Sequence, residues 1–161
     1  LQKIKICKCM KHYISIIILA IFLFSCNGHS KHWETLSQVE SYIEEKPDSA
    51  LVTLEQMDLS ELSGKEEKAK HALLYSMALD KNFVDKTDFE VLQPAIDYYE
   101  DNGSATDKLR TYYYQGRIYQ NMGNDALAME SYVNAINNVE SHRFKVMSLN
   151  VEKLYTKGDK F

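Results

Sequence analysis

Apolar residues of this 161-residue chain recur at helical spacing from about residue 33 onward. Leu36, Val39 and Ile43 show the pattern, because residues three or four apart lie on the same face of a helix. No stretch alternates apolar and polar residues for long enough to predict a strand. The pattern therefore predicts an all-α fold.

Breaks in this pattern divide it into seven predicted helices. Proline, glycine or capping residues mark the breaks, because they stop a helix or stabilise its first turn. Short connections favour antiparallel packing of neighbouring helices. Within the fourth helix, which is predicted to start with Asp88 as its N-cap, Pro94 predicts a kink or a tight first turn. The predicted helices span about 33–45, 48–57, 65–80, 88–102, 106–122, 125–139 and 144–157.

The beginning of the chain has a different pattern. Residues 14–24 form an apolar run, and the four lysines before it have no acidic residue among them. A basic stretch, an apolar core and a small residue before a cleavage point are typical of a secretory signal. The run of 11 residues is too short for a spanning helix, which needs about 20 apolar residues. We therefore predict that residues 1–25 are a signal peptide, with Met10 as a candidate true start.

The tetrad Leu23-Phe24-Ser25-Cys26 resembles the processing site of bacterial lipoproteins. This resemblance implies that Cys26 begins the mature chain and carries its lipid. Residues 26–32 then form a tether to a domain at 33–161. Asn27 follows the cysteine, which by analogy with enteric sorting implies the outer membrane, facing the periplasm. The alternative is an ordinary signal peptide followed by a chance cysteine.

Charge and cysteine content narrow the classes of partner. The chain has 19 basic and 23 acidic residues, and the leader holds four of the lysines, so the mature chain keeps 15 basic residues and a net charge of −8. Such an acidic chain without a basic run is unsuited to nucleic acid. Because Cys7 and Cys9 lie in the leader, Cys26 would be the only mature cysteine, which leaves no disulfide and no cysteine metal site.

The sequence carries no motif that predicts an enzyme. It lacks a glycine-rich phosphate loop, an HExxH motif and a nucleophile elbow. His29 and His32 could bind a metal opportunistically, but they lack further ligands and are better interpreted as part of a solvated linker. His71 and His142 are isolated. We predict no enzyme activity, no metal and no cofactor.

Residues 109–142 resemble one tetratricopeptide repeat (TPR), a pair of antiparallel helices. The family pattern places aromatic, small and aromatic residues in the first helix and small, aromatic and small residues in the second. The matching residues are Tyr112, Gly116 and Tyr119, then Ala128, Tyr132 and Ala135. We predict that Gly116 and Ala128 face each other and that the tyrosines fill the space around them. The resemblance implies a TPR-like α-solenoid over 33–161.

A second stripe of the fifth predicted helix is a candidate binding groove. Arg110, Tyr113, Arg117 and Gln120 recur at helical spacing beside the packing stripe. Two arginines around a tyrosine could bind a carboxylate or an acidic peptide. The alternative is an exposed helix surface on which the arginine stems cover aromatic rings.

Three functions fit these patterns. The first is an extracytoplasmic, lipid-anchored TPR-like scaffold that binds an unknown protein or peptide. The layout also resembles lipid-anchored TPR-like proteins of Gram-negative anaerobes, whose longer relatives continue into a membrane helix and a regulatory domain. The second function is therefore the truncated periplasmic sensor portion of a signalling protein. The third is a glycan-uptake accessory lipoprotein, which the single Trp33 at the start of the first helix disfavours.

Overall fold

All regular structure in the described part of the chain is helical. The computed structural model describes residues 30–138 and 140, and no strand occurs among them. The prediction of an all-α fold is therefore confirmed for these residues. The signal peptide, Cys26, His29, His142 and the predicted seventh helix lie outside them. The helices are α1 (Lys31–Tyr42), α2 (Pro47–Glu55), a 3-10 turn (Leu59–Glu61), α3 (Gly64–Lys81), α4 (Gln93–Tyr99), α5 (Ala105–Asn121) and α6 (125–138).

Helix α3 lies at the centre of the packing. It contacts α1, α2, α4 and α5, while α2 also contacts α1 and α4 also contacts α5. Because α3 has neighbours on several sides, it buries residues around most of its circumference, including Leu74 and Met77 beside the predicted Leu73. Helix α1 buries Leu36 and Val39 against it, as the apolar spacing predicts.

Helix α4 is shorter than predicted. It begins at Gln93, whereas the sequence predicts a start at Asp88. The Asp88 carboxylate instead accepts a hydrogen bond from the backbone N–H of Glu90 at 3.0 Å, which caps a turn. A helix that began at Asp88 would place Pro94 in its interior, where the proline ring clashes with the carbonyl of residue 90. In the structure Pro94 lies in the first turn, as predicted, where the N–H that it lacks would have had no partner.

The start of α1 also differs from the predicted boundary. The helix begins at Lys31, so His32 belongs to its first turn, although the sequence assigned this residue to the tether. Its Nε2 atom lies 3.2 Å from the Glu61 carboxylate in the 3-10 turn. None of the described helices combines the length and apolar composition needed to cross a bilayer.

Candidate functional site

Helix α5 carries the candidate groove, and its first turn is fixed by a capping box. The Ser104 hydroxyl accepts a hydrogen bond from the Asp107 backbone N–H at 3.2 Å, and the Asp107 carboxylate accepts one from the Ser104 N–H at 2.9 Å. These reciprocal bonds satisfy two backbone donors that a helix start leaves open. The start of α5 is therefore well defined, and with it the face on which each later side chain lies.

Arg110 is held by an acidic residue of α1. Its Nη1 atom donates a 2.6 Å hydrogen bond to Glu40 Oε1, and Lys70 of α3 lies 2.7 Å from Glu40 Oε2. Burial alone would raise the pKa of Glu40, but the hydrogen bonds from Lys70 and Arg110 outweigh it, so the pKa lies below its usual value. One carboxylate thus joins three helices and occupies the Arg110 guanidinium.

Arg117 is held by two hydrogen-bond partners. Its Nε atom donates to Asp80 Oδ1 at 2.7 Å, and its Nη1 atom donates to Gln120 Oε1 at 3.0 Å. The Tyr132 hydroxyl of α6 donates to the same Gln120 oxygen at 3.1 Å. The hydrogen bond to Asp80 raises the pKa of Arg117, which keeps the guanidinium charged. Gln120 is consequently oriented by two donors.

Tyr113 is the exposed aromatic residue of this surface. Its side chain is 42% exposed, and its ring lies 5.8 Å from that of Tyr132 between centroids. It also contacts Tyr114 edge to face at 5.0 Å. Tyr113, Arg117 and Gln120 therefore lie around Tyr132, whereas the sequence predicted only that they share a stripe of the helix with Arg110. We call Arg110, Tyr113, Arg117 and Gln120 the α5 surface.

The electrostatics of the α5 surface differ from those of an open cationic groove. Both of its arginines are paired with carboxylates of the same chain, Glu40 and Asp80. An acidic ligand would therefore meet two guanidinium groups whose positive charge a carboxylate of the chain already offsets. Tyr113 and Gln120 can accept a ligand without breaking an ion pair.

Two of the predicted repeat-packing residues, Gly116 and Tyr132, are in close contact. A Cβ atom at Gly116 would lie 2.5 Å from the Tyr132 ring, and the three nearest atoms all belong to that ring. Gly116 therefore accommodates the ring of Tyr132, one of the tyrosines expected to fill the space around it. Ala128 and Ala135 are buried, as expected of small packing residues.

The two remaining packing tyrosines lie at the edge of the core. Tyr119 packs edge to face against Phe89 of the loop before α4, with centroids 4.9 Å apart. Tyr112 is half-buried and lines a cleft with Ile96 and Tyr99 of α4. These residues therefore pack α5 against the preceding segment.

One face of α5 enters the main core and was not predicted. Tyr114 and Ile118 belong to the buried cluster, and Thr111 is buried beside them. Their spacing of three and four residues indicates a common face. Helix α5 buries two faces, one towards the core and one against α6, whereas the sequence predicted a single packing stripe.

A small cavity lies between α3 and α5 behind Arg117. It has a volume of about 20 Å³, and it is lined by Ser76, whose buried hydroxyl has no hydrogen-bond partner among the described residues. A cavity of this size has room for about one water molecule and none for an organic ligand. In the described residues, no group of three or more His, Cys, Asp or Glu side chains is placed to hold a metal.

No protein-family model matches the chain, and no curated protein or solved structure matches it. The contacts of the described residues are therefore the basis of the functional argument.

Proposed function

We propose that this chain is an extracytoplasmic, lipid-anchored TPR-like scaffold that binds protein or peptide partners. The observation that carries the proposal is the α5 surface, where exposed Tyr113 adjoins Gln120 and Arg117, both held by hydrogen bonds. A side chain that is already oriented loses less conformational freedom when it binds a partner. Such a surface suits the recognition of a polypeptide segment.

The order of helix contacts supports the TPR-like part of this proposal. Stacked helix pairs bring each first helix against the first helix of the next pair. Contacts of α3 with both α1 and α5 follow that scheme. The close approach of Gly116 to the Tyr132 ring supports the same interpretation for the last described pair.

Partner binding would centre on Tyr113 and Gln120. Glu40 and Asp80 neutralise Arg110 and Arg117, so the arginines mainly hold the helices and orient Gln120. The partner would contact the tyrosine ring and hydrogen-bond with the Gln120 amide, as in other aromatic-centred interfaces. Binding through Tyr113 and Gln120 depends less on the charge of the ligand than binding of an acidic peptide by the two arginines would.

Affinity purification of the full chain from solubilised membranes tests the binding role. We expect Tyr113→Ala/Gln120→Ala to reduce recovery of the specific partner about tenfold or more, because truncation of central interface residues commonly costs over 1 kcal/mol. Val52→Ala, at another exposed apolar residue, is the matched control and should leave recovery unchanged. Identical recovery with wild type, both variants and Arg110→Ala/Arg117→Ala would contradict the proposal.

Lipid attachment is tested separately at Cys26. Cells fed a labelled fatty acid should incorporate the label into wild type and not into Cys26→Ala. The wild type should fractionate with membranes, because several acyl chains together provide stable anchoring. A wild type that takes up no label and fractionates as the variant does would refute lipid attachment at Cys26. The proposed binding role would not be affected by that result, because it is tested separately.

A further inference from the structure

Phe83 is the most exposed of the large apolar side chains in the described residues. It is 92% exposed and lies in the loop that follows α3, next to Val84, which is exposed as well. Single exposed apolar residues are common on protein surfaces and need no explanation by themselves. What sets Phe83 apart is the backbone conformation at the same position.

The backbone at Phe83 is left-handed, with φ of 60°. The N–H of Val84 donates to the Leu79 carbonyl at 2.9 Å, and the N–H of Phe83 donates to the Asp80 carbonyl at 3.0 Å. These two bonds define a Schellman motif, in which Phe83 occupies the left-handed position that closes α3. Glycine is preferred there, because a Cβ atom strains the left-handed conformation.

The same chain uses glycine for the same task at the end of α5. Gly123 has φ of 75°, and its N–H and that of Asn124 donate to the carbonyls of Gln120 and Tyr119, each at 2.9 Å. The motif is the same, and only the residue in the left-handed position differs. Phe83 therefore adds strain without burying its ring, so folding does not account for its presence. Strained residues of this kind concentrate at functional sites.

Acidic residues follow the apolar tip along the chain. Asp85 and Asp88 are 67% and 53% exposed, and Glu90 is exposed as well; Asp85 also lies 3.9 Å from Arg117 of α5. Lys86 is less exposed and lies 3.9 Å from Asp88. A complementary surface would place an apolar pocket against Phe83 and basic residues around its rim. The carboxylates disfavour an anionic membrane surface for the same reason.

We propose that Phe83 and Val84, flanked by Asp85 and Asp88, form a docking knob for a partner protein that has an apolar pocket rimmed by lysine or arginine. Insertion of the Phe83 ring removes it from water, and the flanking carboxylates orient the partner. This Phe83 knob goes beyond the proposed function, since its apolar tip belongs to the loop after α3 and it requires no TPR-like arrangement of the helices.

Stability measurements test the strain. Phe83→Gly should increase the folding equilibrium constant about fivefold, because glycine relieves the left-handed conformation and no buried contact is lost. The reciprocal change Gly123→Phe should decrease it by a comparable factor. Urea titrations of the full chain measure both. A Phe83→Gly variant that is no more stable than wild type would overturn the premise that folding opposes this residue.

Crosslinking tests the partner. Benzoylphenylalanine introduced at position 83 of the full chain, in its own cells, should yield a discrete protein adduct that the same probe at exposed Val52 does not yield. The purified adduct partner should bind Phe83→Gly and Asp85→Lys/Asp88→Lys at least tenfold more weakly than wild type. Val52→Ala should bind as wild type does.

Four outcomes would overturn the proposal. They are no adduct specific to position 83, an adduct to lipid, unchanged affinity of Phe83→Gly, and charge reversal without effect. The variant Tyr113→Ala/Gln120→Ala separates the two surfaces. If Tyr113→Ala/Gln120→Ala abolishes binding and Phe83→Gly does not, the partner binds the α5 surface. If Phe83→Gly abolishes binding and Tyr113→Ala/Gln120→Ala does not, the partner binds the Phe83 knob.

Discussion

At Gly116, helix propensity and packing act in opposite directions. Alanine is favoured over glycine within a helix by about 1 kcal/mol. Its Cβ atom, however, would lie 2.5 Å from the Tyr132 ring, and overpacking of this kind costs about 1–3 kcal/mol. We expect Gly116→Ala to lower the free energy of unfolding by about 1 kcal/mol, measured by urea titration.

The control for this prediction removes the ring. In a Tyr132→Ala background the obstacle is absent, so Gly116→Ala should raise the free energy of unfolding by up to about 1 kcal/mol. The change of sign is the decisive observation. An equal cost in both backgrounds would mean that Tyr132 does not limit the space at Gly116.

Individual residues could be predicted where their type alone constrains the packing. Gly116, Ala128 and Ala135 stood out because small residues at fixed spacing permit close approach of two helices. Which of the tyrosines lies nearest to Gly116 could not be predicted, because it depends on the rotamer of Tyr132. The role of Phe83 was not predicted, because the sequence after α3 lacks the glycine that usually marks a helix end with a left-handed residue.

Between helices, ion pairs of large sequence separation join α1, α3 and α5 in addition to their shared apolar core. Arg110 and Glu40 are 70 residues apart along the chain, and Arg117 and Asp80 are 37 apart. Helical spacing shows which face each side chain occupies, but it contains no information on which face of another helix lies opposite. The stripe on α5 was therefore predictable, whereas its carboxylate partners were not.

The ion pairs at Glu40 should contribute modestly to stability. Glu40→Gln removes the charge shared by Lys70 and Arg110, and we expect it to lower the free energy of unfolding by about 0.5–1 kcal/mol, as befits a half-exposed network. Glu44→Gln is the control. It removes a single ion pair with Lys81, which is more exposed, and should lower the free energy of unfolding by less. The difference should shrink in urea titrations at high salt. Equal costs for the two variants would contradict a network at Glu40.

Across the whole molecule, local pattern predicted the number and type of the described helices better than their packing. The predicted bounds of α3 and α5 agree with the structure to within two residues, and glycine marks the start of α3 and the end of α5. The burial of α5 on two faces depends on how many neighbours it has, which periodicity does not reveal. The TPR-like stacking remains a proposal that this packing supports.

Acid should destabilise the whole molecule in two separable steps, the first at His71. This side chain is 6% exposed, and its Nε2 atom lies 3.1 Å from the Leu54 carbonyl oxygen, which joins α3 to α2. Burial lowers the pKa of His71 below its usual 6.5, although the bond to Leu54 acts in the opposite direction. As the pH falls below 6.5, the unfolded chain binds a proton at this imidazole more readily than the folded chain does. The free energy of unfolding therefore decreases as the pH falls in that window.

The second step belongs to Glu40, whose pKa in the folded chain is lowered from its usual 4.5. The stability that Glu40 contributes is therefore present above pH 4.5 and is lost as the pH falls through its folded-state pKa. Urea midpoints between pH 7.5 and pH 3.5 should therefore decline first below about 6.5 and again below about 4.5. We expect His71→Gln to flatten the first decline and keep the second, whereas Glu40→Gln should keep the first and reduce the second. Parallel profiles for wild type and His71→Gln between pH 7.5 and pH 5.5 would show that the buried imidazole does not link protonation to folding.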